Sequence, residues 1–255
     1  MKIAVISGAS SGIGMEFVKK LHSNEEFEQI WIIARRKERL LDLELKYGEK
    51  IVPLALDLTN PDDLDSFKAE LERVNPEIKL LINCAGYGRF GKYNEIALDD
   101  TLKMIDLNCK SLVFMSETCI PYMSSGSKIL QVDSIAAFQP IPYLNVYGAT
   151  KAFVMNYSLA LNKEVADKNI RVYALCPGWT KTEFFDGAGN DKGAVTKFTK
   201  WFTADEIVSY AIKKIKNTKK VILIPSLYNK IQYGLVKFAS KNFVINTWLR
   251  QQKHK

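Results

Sequence analysis

Histidine is nearly missing from this chain of 255 residues: His22 and His254 are the only two. A metal centre built from histidine and cysteine would therefore have almost no ligands to draw on. The four cysteines, Cys84, Cys109, Cys119 and Cys176, form no CxxC pair and fall in apolar stretches. That pattern predicts buried free thiols and a reducing, cytoplasmic compartment. No apolar run is long enough to span a bilayer, and the opening MKIAVIS meets a glycine turn at Gly8 with no small-residue cleavage site behind it. Neither a transmembrane helix nor a signal peptide is expected. Repeats, low-complexity segments and linkers are lacking too. With 47% hydrophobic and 25% charged residues, the composition is that of one globular domain.

Acidic residues are absent from one region only. None follows Glu206, whereas eleven lysines and arginines do; the rest of the chain holds 25 basic residues against 28 acidic ones. The net charge of +8 thus belongs to the C-terminal part. Nucleic acid is not expected as a partner, because the charges of the first 206 residues nearly cancel.

What the chain does contain is an alternation. Apolar runs at Ile3–Ile6, Ile30–Ala34, Ile51–Leu56, Leu80–Asn83, Ile129–Val132, Val172–Leu175 and Val221–Ile224 read as strands, and segments with helical spacing separate them. Asn60 followed by Pro61 predicts one helix start, and the Thr203/Glu206 capping box predicts another. Strands alternating with helices imply a parallel sheet covered on both faces.

Gly8, Gly12 and Gly14 lie between the first strand and a helix carrying Ile13, Phe17 and Leu21. Glycines there let a phosphate approach the backbone, and a helix N-terminus favours an anion. The spacing GxxxGxG differs from the common GxGxxG. Gly8, Ser10 and Gly12 also spell the GxSxG elbow of a hydrolase, which would need a later histidine and an acid; His22 sits on the very next helix and His254 in the tail, so that reading is poorly served. At the end of the second strand, where a carboxylate would select NAD, the chain has Arg35 and Arg36. Guanidinium suits the 2′-phosphate of NADP(H). The plainer reading is a pair of solvated charges entering a helix.

Tyr147 and Lys151 stand four residues apart and so share one face of a helix beginning near Asn145. An ammonium beside a phenol favours the phenolate, which predicts a tyrosine able to exchange protons near neutral pH. Taken alone, a lysine four residues beyond a tyrosine is commonplace.

Together these motifs resemble the short-chain dehydrogenase/reductase family over residues 1–225. Residues 7–14, SGASSGIG, resemble TGxxxGIG with Ser7 for threonine; Asn83, Cys84, Ala85 and Gly86 resemble NNAG; Tyr147 and Lys151 match YxxxK, with Ser134 thirteen residues earlier. Pro177, Gly178 and Thr182 resemble the PG motif that holds the nicotinamide end, and Asp57 with Leu58 resembles the adenine contact. The resemblance implies a Rossmann-type doubly wound α/β fold of about seven strands and an NADP(H)-dependent enzyme. Its catalytic set would be Asn108, Ser134, Tyr147 and Lys151. Its cofactor set would add Gly8, Ser10, Ser11, Gly12, Ile13, Gly14, Arg35, Arg36, Asp57, Leu58, Asn83, Ala85, Gly86, Pro177, Gly178, Thr180 and Thr182. By the same resemblance Tyr147 would protonate the substrate oxygen, Ser134 would hydrogen-bond it, Lys151 would bond the nicotinamide ribose, and Asn108 would hold a water linking Lys151 to solvent. Two departures stand out: Asp133 where a serine is common, and Thr180 where a valine is common.

Residues 183–202 fall where the family carries its substrate lid, and they are rich in aromatic residues. Phe184 and Phe185, with Ser134, Phe138, Tyr143 and Trp179, are expected to line a substrate pocket for a bulky lipophilic ketone or alcohol of steroid-like character. A 3-oxoacyl thioester is the alternative substrate, and a non-catalytic NADP(H) sensor the alternative function. The family is commonly dimeric or tetrameric. Residues 226–255 form a basic amphipathic extension with Leu227, Ile231, Leu235 and Phe238 at helical spacing. Such a stripe would pack on its own protein or on a second subunit, or lie weakly on an anionic membrane surface.

Overall fold

The computed structural model describes residues 1–186, 188–189, 194–198 and 200–252. Parts of the expected lid and the tail residues Lys253, His254 and Lys255 lie outside the described residues. Six strands, β1 (Lys2–Ser7), β2 (Gln29–Ala34), β3 (Ile51–Ala55), β4 (Glu77–Asn83), β5 (Met123–Val132) and β6 (Arg171–Leu175), alternate with helices. The helices are α1 (Gly12–Leu21), α2 (Lys37–Tyr47), α3 (Pro61–Val74), α4 (Leu98–Ile105), α5 (Ser111–Cys119) and α6 (Asn145–Glu164). Short strands β7 (Thr180–Lys181) and β8 (Phe202–Thr203) pair with each other, and α7 (Ala204–Asn217) leads into β9 (Ile222–Leu223). Two further helices, α8 (Leu227–Phe238) and α9 (Lys241–Gln252), end the described chain.

The parallel sheet runs β3-β2-β1-β4-β5-β6-β9, a Rossmann-type order. Alternation along β1 sends Ala4 and Ile6 to one face and Ile3 and Val5 to the other, and both faces are covered. Phe17 and Leu21 of α1, Leu40 of α2 and Val208 of α7 pack on the first. Phe67 and Leu71 of α3, Met115 of α5 and Leu161 of α6 pack on the second. Each such buried side chain contributes roughly 1.5–3 kcal/mol.

Both predicted helix starts are present. Asn60 accepts from the Asp62 amide at 2.9 Å with Pro61 behind it, and Thr203 and Glu206 bond reciprocally. The strands differ in length from the sequence reading: β5 begins six residues before Ile129 and β9 holds only two residues. The helix expected around Asn108 is interrupted by one π-helical turn, Asp106–Lys110.

The strand order reverses at β1, with β2 and β3 on one side and β4 and the later strands on the other. The crevice outside the carboxyl ends of these strands is where such folds take ligands, and here it opens into a cleft of about 1410 Å³. Helix α9 straps its far rim: the Trp248 indole donates to the Pro142 carbonyl at 3.0 Å, and Gln252 Oε1 accepts from the Thr196 and Lys197 amides at 2.8 and 3.0 Å.

Candidate active site

The glycine loop takes its shape from two close approaches. Gly8 sits at φ +67°, and a Cβ there would meet the Ala85 nitrogen at 2.7 Å; a Cβ on Gly14 would meet the Gly8 carbonyl at 2.2 Å. Only glycine lets the first turn of α1 press against both β1 and the β4 turn. The Ser7 hydroxyl completes that seam by accepting from the Cys84 and Ala85 amides at 3.2 and 3.3 Å. The resulting backbone cradle at a helix N-terminus fits a diphosphate.

Beside the cradle stands a guanidinium. Arg36 donates from Nε and Nη2 to Ser10 Oγ at 3.1 and 2.9 Å, and from Nη1 to Glu183 Oε2 at 2.7 Å. Arg39, one turn further along α2, donates to Glu183 Oε1 at 2.5 Å. Hydrogen bonds from Arg36 and Arg39 hold the Glu183 carboxyl below its usual range. Arg35 turns the other way, mostly exposed, 3.9 Å from Asp57 Oδ2. Asp57 is itself anchored, accepting from the Thr59 amide and hydroxyl at 2.9 and 2.7 Å.

At the opposite end of the cleft, Lys151 Nζ donates to the Val132 carbonyl at 2.8 Å and lies 5.7 Å from the Tyr147 ring centre. Ser134 caps a short 3-10 turn, its hydroxyl accepting from the Ala136 amide at 3.1 Å. The backbone holds it in place, since the Asp133 amide bonds Leu175 and the Ile135 amide bonds Pro177. Burial pushes the Tyr147 phenol up from its ordinary pKa; a hydrogen bond from Ser134 opposes this and the Asp133 charge adds to it. The lowering by Lys151 expected from the sequence is not among these influences, and the burial of the phenolate dominates. Burial likewise pushes the Lys151 ammonium down, with Asp133 the main opposing influence.

A sequence model of the short chain dehydrogenase family matches residues 2–200. The chain belongs to that family. Among its relatives is an uncharacterized oxidoreductase of Staphylococcus epidermidis, 29% identical over 214 residues, 83% of this chain and 90% of the relative. A short-chain dehydrogenase from Sphingobium yanoikuyae in complex with NADPH superposes with a TM-score of 0.79 at 27% identity, covering 94% of this chain and 97% of that one. A bulky-bulky ketone specific alcohol dehydrogenase from Comamonas testosteroni gives 0.74 at 25%, covering 94% and 96%.

In this short chain dehydrogenase most of the residues singled out from sequence face one cleft. Gly8, Ser10, Ser11, Gly12, Ile13 and Gly14 line it at one end; so do Arg35, Arg36, Asp57 and Leu58. Ala85, Gly86, Pro177, Gly178, Thr180 and Thr182 line its middle, and Ser134, Tyr147 and Lys151 its chemical end. Trp179, Phe184 and Phe185 form part of its apolar wall.

Four do not line it. Asn83 points into the sheet, donating to Gln131 Oε1 at 2.8 Å and Ser116 Oγ at 3.3 Å, so it supports the turn from behind. Phe138 packs instead on Tyr233 of α8, ring centres 4.5 Å apart, in a separate cluster with Met155 and Cys176. Tyr143 sits in a left-handed turn at φ 70° and packs behind the wall. Asn108 is buried, its amide fully engaged with the Tyr87 backbone at 3.0 and 2.9 Å and Thr150 Oγ1 at 3.0 Å. The hydrolase reading finds no support at His22 either: Ser10 is held by Arg36, while His22 bonds the Lys19 carbonyl and lies tilted against Tyr47, ring centres 4.5 Å apart; His254 lies outside the described residues.

Sequence reasoning missed Arg39 and Glu183 as site residues, and marked Asp133 only as a departure from the family pattern. Arg39 is three residues beyond Arg36, which is a readable signal on a helix; Glu183 meets them only through the fold. Asp133 is buried, its Oδ1 without a hydrogen-bond partner, its Oδ2 accepting weakly from the Cys176 thiol at 3.6 Å. Burial raises its pKa to about 8. The folded protein therefore holds this proton more tightly than the unfolded chain, so the carboxyl costs stability progressively as pH rises from about 4 to about 8. Asp133→Asn, which cannot ionise, should be nearly neutral at pH 4 and stabilising by several kcal/mol, to order of magnitude, at pH 9. Thermal melts of the two proteins across that range test this; a gap that does not widen with pH would refute it.

Proposed function

We propose that the protein is an NADP(H)-dependent reductase of a bulky lipophilic ketone, steroid-like in size, or the dehydrogenase of the matching secondary alcohol. The observation that carries this reading is one cleft with Arg36 and a glycine cradle at one end, Ser134, Tyr147 and Lys151 at the other, and an aromatic wall between. The likeness to a dehydrogenase specific for bulky ketones supports the substrate class.

When bound, NADPH supplies the hydride, and the protein's own groups handle the charge that develops on the substrate oxygen. Tyr147 holds a proton at neutral pH and donates it to that oxygen; an alkoxide is a far stronger base than a phenolate, so a raised phenol pKa does not prevent the transfer. Ser134 steadies both oxygens by hydrogen bonding. Lys151, held on the Val132 carbonyl, would bond the nicotinamide ribose. Asn108 ties the Tyr87 loop to α6 through Thr150, and so positions the helix that carries both reacting side chains. Phe184 packs on Tyr147, ring centres 5.4 Å apart, and covers one side of the ring.

The test is NADPH consumption against a panel of steroid ketones, small ketones and 3-oxoacyl thioesters, with NADH alongside. Turnover confined to bulky ketones with NADPH is the expected result. Saturation by thioesters alone would move the substrate class, and tight NADPH binding without turnover on any member would favour a sensing role.

A further inference from the structure

Helix α8 is amphipathic the wrong way round. The stripe Leu227, Ile231, Leu235 and Phe238 is 72, 56, 67 and 92% exposed. The sequence reading that packs it on its own protein is thereby corrected, because the inward face is made instead by Asn229, buried beside Gly178, and Tyr233 on Phe138. Phe243 at the start of α9 extends the apolar surface, 64% exposed. An outward row of large apolar side chains of this extent costs solvation unless something covers it.

Charge says what covers it. Lys230 and Lys237 flank the stripe on α8, their ammoniums 5.8 and 4.5 Å from the Tyr210 and Tyr233 ring centres, and Lys241 and Arg250 follow on α9; all four are exposed, and no acidic residue occurs after Glu206. A two-fold contact with a second copy would bring these cations face to face with no carboxylate from either α8 or α9 to offset them. A surface that is apolar in depth and anionic at its boundary matches both properties at once. Moreover, Tyr228, Ile231, Leu235 and Phe243 also line the cleft, so its mouth opens at this patch.

We propose that α8 and the start of α9 form a docking surface for an anionic lipid bilayer. The protein lies on the membrane, since among the described residues no helix is long and apolar enough to cross it. Leu227, Ile231 and Phe238 enter the boundary between headgroups and acyl chains, and the lysines meet lipid phosphates. The cleft mouth then faces the lipid, so that, under the ketone reading above, an apolar substrate reaches Tyr147 without crossing water.

The experiment is co-sedimentation of the full chain with phosphatidylcholine vesicles and with mixed phosphatidylcholine and phosphatidylglycerol vesicles, at low and high salt. Binding to the mixed vesicles, weakened by salt and negligible on phosphatidylcholine alone, is expected. Phe238→Ser should reduce it roughly tenfold or more, and Lys237→Gln about fivefold; both positions are exposed, and circular dichroism checks the fold. The proposal is overturned by absent binding to the mixed vesicles, by binding that both variants leave intact, or by a stable dimer that Phe238→Ser dissolves and vesicles do not compete away. None of these readouts needs turnover, so failure of the ketone assignment leaves them interpretable.

Discussion

Tyr147→Phe is expected to lower kcat by about a hundredfold to ten-thousandfold while leaving NADPH affinity nearly unchanged, the range for losing a positioned proton donor. The substitution removes one oxygen and keeps the ring. Phenylalanine preserves the contact with Phe184 at 5.4 Å and the place of Lys151 near the ring, so the wall and the backbone of α6 have no cause to shift. What disappears is the proton that the growing alkoxide needs, and the partner of the Ser134 hydroxyl. Tyr147 is half-buried at the cleft wall, and a water entering the space left by its oxygen would not be held at the place of the lost proton donor. Single-turnover assays with NADPH fluorescence titration on the same preparation separate the two quantities. A kcat within tenfold of the parent would remove Tyr147 from the chemistry; lost NADPH affinity would make its role one of binding.

Arg36→Ala is expected to weaken NADPH by about tenfold to a hundredfold and NADH far less, as charge-assisted hydrogen bonds of about 1.5–3 kcal/mol imply. The guanidinium of Arg36 lies between Ser10 at the phosphate cradle and Glu183 at the start of the 183–202 segment. A 2′-phosphate taking the same donors has to displace the Glu183 carboxylate, which both competes for Arg36 and Arg39 and repels the incoming charge. Glu183→Gln should therefore shift NADPH the opposite way, severalfold tighter, again with little change for NADH. Titration of both cofactors into both variants decides the matter. Equal losses of NADPH and NADH on Arg36→Ala would mean that the arginine braces the loop and does not read the phosphate.

The legible part of this site was local or periodic. Gly8 and Gly14 announce themselves because backbone packed that closely admits no side chain, and Tyr147 with Lys151 because one helical turn fixes their separation. The illegible part was contact between distant segments. As aromatic residues in the segment between Ser134 and Tyr147, Phe138 and Tyr143 are expected from the sequence to wall the pocket. A left-handed turn at Tyr143 and the arrival of Tyr233 beside Phe138 took them elsewhere. The sequence makes Asn83 a cofactor contact by resemblance, yet Gln131 and Ser116, 48 and 33 residues away, draw its side chain inward.

By itself the sequence determined the alternating strands and helices, the two covered faces of the sheet, the glycine cradle and the chemical pair on α6. These follow from side-chain period and steric allowance within a few residues of chain. The tertiary structure alone decided which arginine faces the cradle, that Glu183 pairs with Arg36 and Arg39, that Asp133 is buried, and that α8 turns its apolar stripe outward. Those outcomes depend on desolvation and on which of several possible partners lies nearest. Both are properties of the assembled molecule, fixed only when segments more than a hundred residues apart, such as Arg36 and Glu183, come within hydrogen-bonding distance.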